Sequence, residues 1–547
     1  MKALMMDMPL LISSILVHAS RHHGDVEIVS RRVEGDMHRT TYREVEVRSR
    51  KLADALKKRG MQDGDRVATL AWNGYRHLEL YYAIGGSGAV VHTVNPRLKP
   101  EQIAWMLNHA EDVFLAFDMT FLPIVEAIAS SCPTVRGFIA MCDRERLPKE
   151  TKIPNLLAYE DVVAEGSAEY RWPELDEQTA MGLCYTSGTT GNPKGALYSH
   201  RSSVLHAYAA ALPDAMGASA RDSILPVVPM FHVNAWGIPF SAPLVGARLV
   251  FPGPALDGKS VYELFESEKV TFSAGVPTVW LGLLNYVKEN KLRFSTFVRT
   301  VIGGAAAPPS MIRSLRDDYG VEVIHAWGMT EMSPLGTLCK LHNKHLAMPN
   351  EAQSKLLEKQ GHGIFGVDMK IVDDAGKELP WDGKTYGNLL VRGHWVIDKY
   401  FRGEGGDPLQ YDEENRGWFP TGDVATIDAD GFMQITDRTK DVIKSGGEWI
   451  SSIDLENLAM AHPAVAQAAV IGMPHPKWDE RPLLVVVKRP GVDVTKEELL
   501  TFFHGKVAKY WLPDDVQFID AIPLGPTGKI LKTKLREHFK DYKLPTI

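Results

Sequence analysis

Apolar and polar positions in the first third of the chain predict short buried strands separated by amphipathic helices. Thr41-Tyr42-Arg43-Glu44 has the spacing of a capping box, with Thr41 as N-cap. The helix that follows carries Val45, Leu52, Ala53 and Leu56 on one face and stops at Gly60. Arg66 to Trp72 reads as a strand, Leu78 to Ile84 as a helix, Ala89 to Val94 as a strand, Glu101 to His109 as a helix and Val113 to Phe117 as a strand. This alternation predicts a layered α/β domain. Met181 to Cys184 reads as the end of a further buried strand, and so do the stretches before Gly303 and before His325. Residues 338–361 read as an irregular, partly helical insertion with no assignable function. Asp430-Gly431 between apolar runs predicts a hairpin turn. The last hundred or so residues predict a small α+β unit, with a second capping-box pattern from Thr495 to Glu498.

Composition narrows the class. At 547 residues the chain has room for three or four domain-sized units. Apolar content of 45% and charged content of 24% are those of an ordinary globular protein. A net charge of −7 lacks the basic footprint of a nucleic-acid binder. No run of 18 apolar residues offers a membrane span. Asp7 and Pro9 interrupt any signal-peptide core, and Leu544-Pro545-Thr546-Ile547 is not a peroxisomal signal. Cys132, Cys142, Cys184 and Cys339 have neither metal spacing nor a paired framework, so a reducing cytoplasm is the expected compartment.

The candidate chemistry centres on Tyr185-Thr186-Ser187-Gly188-Thr189-Thr190-Gly191-Asn192-Pro193-Lys194-Gly195. Glycines let backbone N–H groups converge on an anion, and the hydroxyls add donors, so the stretch reads as a phosphate-gripping loop. Gly195 after Lys194, and the glycine spacing, set it apart from a Walker loop. His232 and Trp236 lie four apart after a proline-terminated strand and share one face if a helix starts there. Gly303-Gly304-Ala305-Ala306-Ala307 is a small-residue turn that a flat ligand can approach. His325-Ala326-Trp327-Gly328-Met329-Thr330-Glu331 is a strand-to-loop stretch ending in a carboxylate. Asp423 stands at a glycine turn, Asp437 to Asp441 read as a polar linker, Lys444 to Ser451 as a mobile glycine loop anchored by Trp449, and Lys529 sits on a Pro/Gly-stiffened loop.

The first of these strings resembles the signature loop of the adenylate-forming enzymes: acyl-CoA synthetases, luciferases and peptide-synthetase adenylation domains. The remaining stretches occur in that family's order, from about residue 10 to about residue 540. The resemblance implies an α/β fold in which residues 1–437 form a large domain of layered α/β subdomains plus a small β-barrel. Residues 438–441 would be the hinge and 442–547 a mobile α+β domain. It implies ATP, Mg²⁺ and CoA. Thr186, Ser187, Gly188, Thr189, Thr190, Gly191 and Lys194 would grip phosphates, with Thr186 and Glu331 at the metal. Gly304, Ala305, Ala306, His325, Ala326, Trp327, Gly328, Met329, Thr330 and Ile435 would line the nucleotide. Trp327 stands where tyrosine is more usual, and Asn388 where many relatives carry glutamate. Asp423 would accept the ribose hydroxyls, Arg438 would reach the ribose and Lys440 would be the pivot. Lys444, Gly446, Gly447, Glu448 and Trp449 would face the thiol path, and Lys529 would be the catalytic lysine.

The reaction so implied has two steps: a carboxylate attacks the ATP α-phosphate, and CoA then captures the acyl-adenylate. His232, Val233, Trp236, Gly303, Trp327, Met332 and Trp449 would wall the acyl pocket, with no lysine or arginine to meet a second carboxylate. The sequence is most similar to bacterial medium-chain fatty-acid–CoA ligases and 3-(methylthio)propionate–CoA ligases. Medium-chain acids are the favoured substrate and the methylthio-acid the alternative. A homodimer is carried over from related fatty-acyl enzymes. Two other classes stay open: an adenylating enzyme that does not use CoA, and a non-catalytic nucleotide-binding homologue.

Overall fold

A computed structural model of the protein describes residue 1 and residues 3–186, 192–446, 448–525 and 530–546, the Glu448 side chain aside. The predicted alternation is present. Arg66–Leu70, Val90–Thr93, Asp112–Phe117, Gly137–Ala140, Leu156–Ala158 and Ala180–Tyr185 pair in parallel, and Gly195–Ser199 closes this seven-stranded sheet antiparallel to Ala180–Tyr185. A nine-stranded sheet has Arg248–Phe251, Ser223–Pro226, Phe272–Gly275, Arg299–Ile302 and Glu322–Gly328 as its parallel centre. The expected capping box forms: the Glu44 N–H donates to Thr41 Oγ1 at 3.3 Å and the Thr41 N–H to Glu44 Oε2 at 2.9 Å. A cap of this kind stabilises the helix by about 1 kcal/mol.

The helix Tyr75–Gly86 is buried along its whole length. Its tyrosines reach into the polypeptide that follows strand Ser223–Pro226. The Tyr81 hydroxyl donates to Asn234 Oδ1 at 3.1 Å and to the Met230 carbonyl, and the Tyr82 hydroxyl donates to the Pro239 carbonyl at 2.8 Å. Burying these hydroxyls without partners would cost several kcal/mol. They are satisfied by the segment 229–239, which they thereby hold in place.

The expected small barrel is an antiparallel sheet of Val367–Val372, Gly387–Gly393, Gly417–Ile427, Gln410–Tyr411 and Met433–Arg438. Bulges at Asn388/Leu390 and Val424/Ala425 bend its long strand. The first two residues of the linker expected over Asp437 to Asp441 are instead strand, which runs as far as Arg438, because Asp437 is buried and bonded. Its Oδ2 accepts the Ser452 N–H at 2.7 Å, at the start of helix Ser452–Met460. The glycine loop after Lys444 is a hairpin in which Ile443–Ser445 pairs antiparallel with Glu448–Ile450. It joins a second mixed sheet with Val465–His475, Asp479–Lys488 and Asp515–Phe518. The second capping box also forms, from Thr495 to Glu498. The insertion 338–361 carries helices Asn343–Leu346 and Asn350–Leu357, as its composition predicted.

In this last unit Lys532 is buried against Glu456 at 2.8 Å, and it also bonds Ser452. Burial alone would lower the lysine pKa, but Glu456 and Asp437 raise it. Removing one partner of a buried pair leaves an uncompensated charge. Lys532→Met therefore lowers stability by about 3–5 kcal/mol, and the double variant Lys532→Met/Glu456→Leu recovers most of it. Chemical unfolding of the full chain reads both; a neutral single variant contradicts the assignment.

Candidate active site

Strands Arg299–Ile302 and Glu322–Gly328 lie side by side, and the two candidate walls begin where they end. At Gly303 a Cβ would stand 2.9 Å from the Ala326 carbonyl oxygen and 3.2 Å from the Trp236 ring, so only glycine fits. Gly304 has φ +78° and also lies against Trp236. Trp236 comes from an unexpected backbone. Val233, Asn234, Ala235 and Trp236 have φ of 47°, 52°, 47° and 57°, a left-handed turn rather than the right-handed helix that would put His232 and Trp236 on one face. Each such residue costs about 1–2 kcal/mol. The tyrosine bonds of the buried helix hold the turn, and Gly237 packs against His206, whose ring would lie 2.7 Å from a Cβ there. Strain of this kind collects at functional sites. On the other side of strand Glu322–Gly328, Trp327 and the Met332 methyl close over Gly336, within 2.6 and 2.9 Å of a Cβ built there.

Asp423 joins this wall to the strand that ends at Arg438. It is 3% exposed, at a turn where Gly422 has φ +72°. The Trp327 indole N–H donates to Asp423 Oδ2 at 2.8 Å, and Arg438 Nε meets Oδ1 at 2.8 Å. The tryptophan that replaces the usual tyrosine thus supplies a donor to the expected ribose carboxylate. Asn388 accepts from the Thr439 hydroxyl at 3.3 Å, inside the expected hinge.

His325, expected along the nucleotide, has both ring nitrogens engaged by protein. Its Nε2 accepts the Ala307 N–H at 3.2 Å, so Nδ1 carries the proton and donates to the Glu358 carbonyl at 3.0 Å. Burial pushes its pKa down to about 4, which keeps the ring neutral. It shapes the small-residue turn from behind. Gln360, at the end of the insertion, accepts the Ile435 N–H at 2.6 Å. No local pattern marks it, because its partner is 75 residues away.

On the phosphate side, the Thr186 N–H donates to the Lys194 carbonyl at 2.8 Å and the Lys194 N–H to Thr186 Oγ1 at 3.2 Å, which closes the neck of the signature loop. Ser187, Gly188, Thr189, Thr190 and Gly191 lie outside the described residues, as do Gly447 and Lys529. Glu331 is 7% exposed, and its Oε1 accepts the Tyr400 hydroxyl at 2.8 Å. Tyr198 donates to the Thr330 carbonyl at 2.6 Å and fixes the same short turn. Among the described residues no group of three or more His, Cys, Asp or Glu could hold a metal. One carboxylate and the Thr186 hydroxyl suit Mg²⁺, which takes most of its ligands from phosphates and water. In the hairpin, the Lys444 N–H donates to Glu480 Oε2 at 3.0 Å and its ammonium lies 5.6 Å from the Trp449 ring centroid. Lys440 accepts Arg536 on its carbonyl at 3.2 Å, and His232 donates its N–H to Pro229 at 3.1 Å.

His325 gives a signed pH dependence. Above its ordinary value of 6.5 the ring is neutral folded or unfolded; as pH falls from there to about 4 the unfolded chain takes the proton first. This one group then removes roughly 3 kcal/mol of stability. His325→Gln flattens that acid limb by the same amount in unfolding midpoints measured from pH 7.5 to 4.5; unchanged limbs contradict the assignment.

Comparison with known proteins agrees with this geometry. Residues 16–401 match the family model described as AMP-binding enzyme, and residues 454–529 its C-terminal domain. The chain is 54% identical over 537 residues to a 3-methylmercaptopropionyl-CoA ligase of Ruegeria lacuscaerulensis, covering 98% of each. It is 52% identical over 540 residues to a medium-chain-fatty-acid–CoA ligase of Ectopseudomonas oleovorans, covering 99% of this chain and 98% of that one. In fold it matches a solved anthranilate CoA ligase in complex with anthranoyl-AMP, with a TM-score of 0.86 at 24% identity over 99% of both chains. The chain therefore belongs to the AMP-binding family of adenylate-forming acyl-CoA ligases.

Proposed function

We propose that this AMP-forming acid–thiol ligase activates medium-chain fatty acids. The observation that carries this reading is the apolar wall: Val233, Trp236, Gly303, Trp327 and Met332 include no cation, and Val233, Trp236 and Met332 are buried. A single apolar carboxylate satisfies such a wall, whereas a diacid would bury an unpaired charge. A second reading has its own support. Two of the wall residues, Trp236 and Trp327, are aromatic, which suits 3-(methylthio)propionate, whose sulfur packs well on aromatic rings.

In the first step the substrate carboxylate attacks the α-phosphate; an O–P bond forms and pyrophosphate leaves. An anion thereby approaches a polyanion. At about 4 Å and an effective dielectric near 20, one lysine offsets roughly 4 kcal/mol of that repulsion before desolvation. Lys529 takes this role, with the loop Thr186 to Lys194 on the phosphates. Glu331 and Thr186 would hold Mg²⁺, which would neutralise phosphate charge. Asp423 accepts the ribose hydroxyls. In the second step the CoA thiol loses its proton, attacks the acyl carbon and expels AMP. Residues 438–441 act as the hinge between domains 1–437 and 442–547, and turning about it replaces Lys529 by the Lys444–Trp449 hairpin. The four cysteines are unpaired thiols, in keeping with a cytoplasmic setting, and a homodimer is the proposed assembly.

A panel of acids from acetate to palmitate, with 3-(methylthio)propionate alongside, tests the substrate through CoA-dependent AMP release. The main reading expects a kcat/KM maximum at about six to ten carbons, since each buried methylene adds about 1–3 kcal/mol until the pocket is full. A preference for the methylthio-acid over butyrate and hexanoate transfers the assignment to it. Trp327→Phe keeps an aromatic, though smaller, side chain and removes one donor from Asp423. The KM for ATP then rises about tenfold, equivalent to about 1.4 kcal/mol, with a smaller change in kcat. An unchanged KM removes the indole N–H from the nucleotide site.

A further inference from the structure

The segment from Tyr400 to Gly405 carries no motif in the sequence reading, yet it reaches the metal carboxylate and both necks of the signature loop. It contains the short turn Phe401–Gly403, with Arg402 held at φ 59°. The Tyr400 hydroxyl donates to Glu331 Oε1 at 2.8 Å, while the face of the same ring lies 4.8 Å from the Lys194 ammonium. An ammonium over an aromatic face is held electrostatically by the ring quadrupole. Gly405 leaves room for that ammonium, because a Cβ there would come within 2.7 Å of Lys194 Nζ. Phe401 packs against Gly195, where a Cβ would be 3.0 Å from its own. Glu404 works on the other neck: His109 Nε2 donates to its Oε1 at 3.0 Å, and His109 Nδ1 accepts the Tyr185 hydroxyl at 2.6 Å. The residues just before and just after the loop, Tyr185 and Lys194, are therefore anchored on one short strap.

We propose that Tyr400 is a positioning residue for the adenylation step, fixing the Glu331 carboxylate with its hydroxyl and Lys194 with its ring. The proposal rests on Glu331 being the Mg²⁺ carboxylate. Groups that orient a metal ligand typically change metal affinity 10- to 100-fold when removed. Tyr400→Phe deletes the hydroxyl and keeps the ring; Tyr400→Leu deletes both.

Calorimetry on the full chain separates this role from simple core filling. Two ligands are titrated: ATP at stepped Mg²⁺ concentrations, and a non-hydrolysable acyl-sulfamoyl adenosine, which carries neither metal nor β- and γ-phosphates. The expected result for Tyr400→Phe is that the Mg²⁺ needed for half-maximal ATP binding rises by about 10- to 100-fold, while binding of the sulfamate analogue stays within about twofold. Tyr400→Leu weakens ATP binding further, through Lys194, and again spares the analogue. Equal loss for both ligands overturns the proposal in favour of a structural role. Glu331→Gln, run in parallel, distinguishes the two levels. A Mg²⁺ shift in Glu331→Gln without one in Tyr400→Phe overturns the positioning role alone. No shift in Glu331→Gln overturns the metal assignment and the proposal with it.

Discussion

A buried carboxylate must be paired, and the pairing of Asp423 is the constraint that organises this molecule. One oxygen takes the indole of Trp327, from strand Glu322–Gly328 of the nine-stranded sheet, and the other takes the guanidinium of Arg438, at the end of strand Met433–Arg438. Removing either donor would leave charge in a low-dielectric setting at a cost of a few kcal/mol. The wall proposed for the acyl chain, the carboxylate proposed for the ribose and the strand leading into the proposed hinge are consequently tied together at Asp423. Its outward consequence is that Trp327 serves two neighbours: its ring closes on Gly336, and its N–H orients Asp423.

Around that joint the site separates its tasks by chemistry. The side proposed for the acyl chain is apolar and built by close approach, with glycines at 303 and 336 where a Cβ would crowd tryptophan. The phosphate side is polar and built by anchoring the ends of a loop rather than its middle. A lone carboxylate for the metal is consistent with this division, because the phosphates themselves complete the Mg²⁺ shell. The strained turn from Val233 to Trp236 marks the boundary, and the hydroxyls of a fully buried helix stabilise it.

The sequence announced what depends on near neighbours. Both capping boxes, the alternating strands and helices, and the hairpin at Asp430-Gly431 follow from spacings of a few residues. The order of motifs placed Glu331, Trp327 and Asp423 on elements that meet. What stayed hidden depends on partners far along the chain. The left-handed turn at Val233 looks helical by spacing, and only the tyrosines more than 150 residues earlier select its hand. Arg438 looks like a linker residue until Asp423 pairs with it. His325 looks like a ligand contact until the Ala307 N–H and the Glu358 carbonyl occupy its ring. Tyr400 lies outside every motif noted in the sequence, since its two partners come from the loop end at Lys194 and the short turn at Glu331.

If one chain runs two half-reactions with different groups in turn, the variant Lys529→Ala separates them. Acid-dependent exchange of pyrophosphate into ATP reports adenylation, and conversion of supplied acyl-adenylate to acyl-CoA reports thioester formation. Exchange is expected to fall by on the order of 10²–10³, as for other charge-stabilising groups, while thioester formation is nearly unaffected. Equal loss in both half-reactions would mean that the same groups serve both steps.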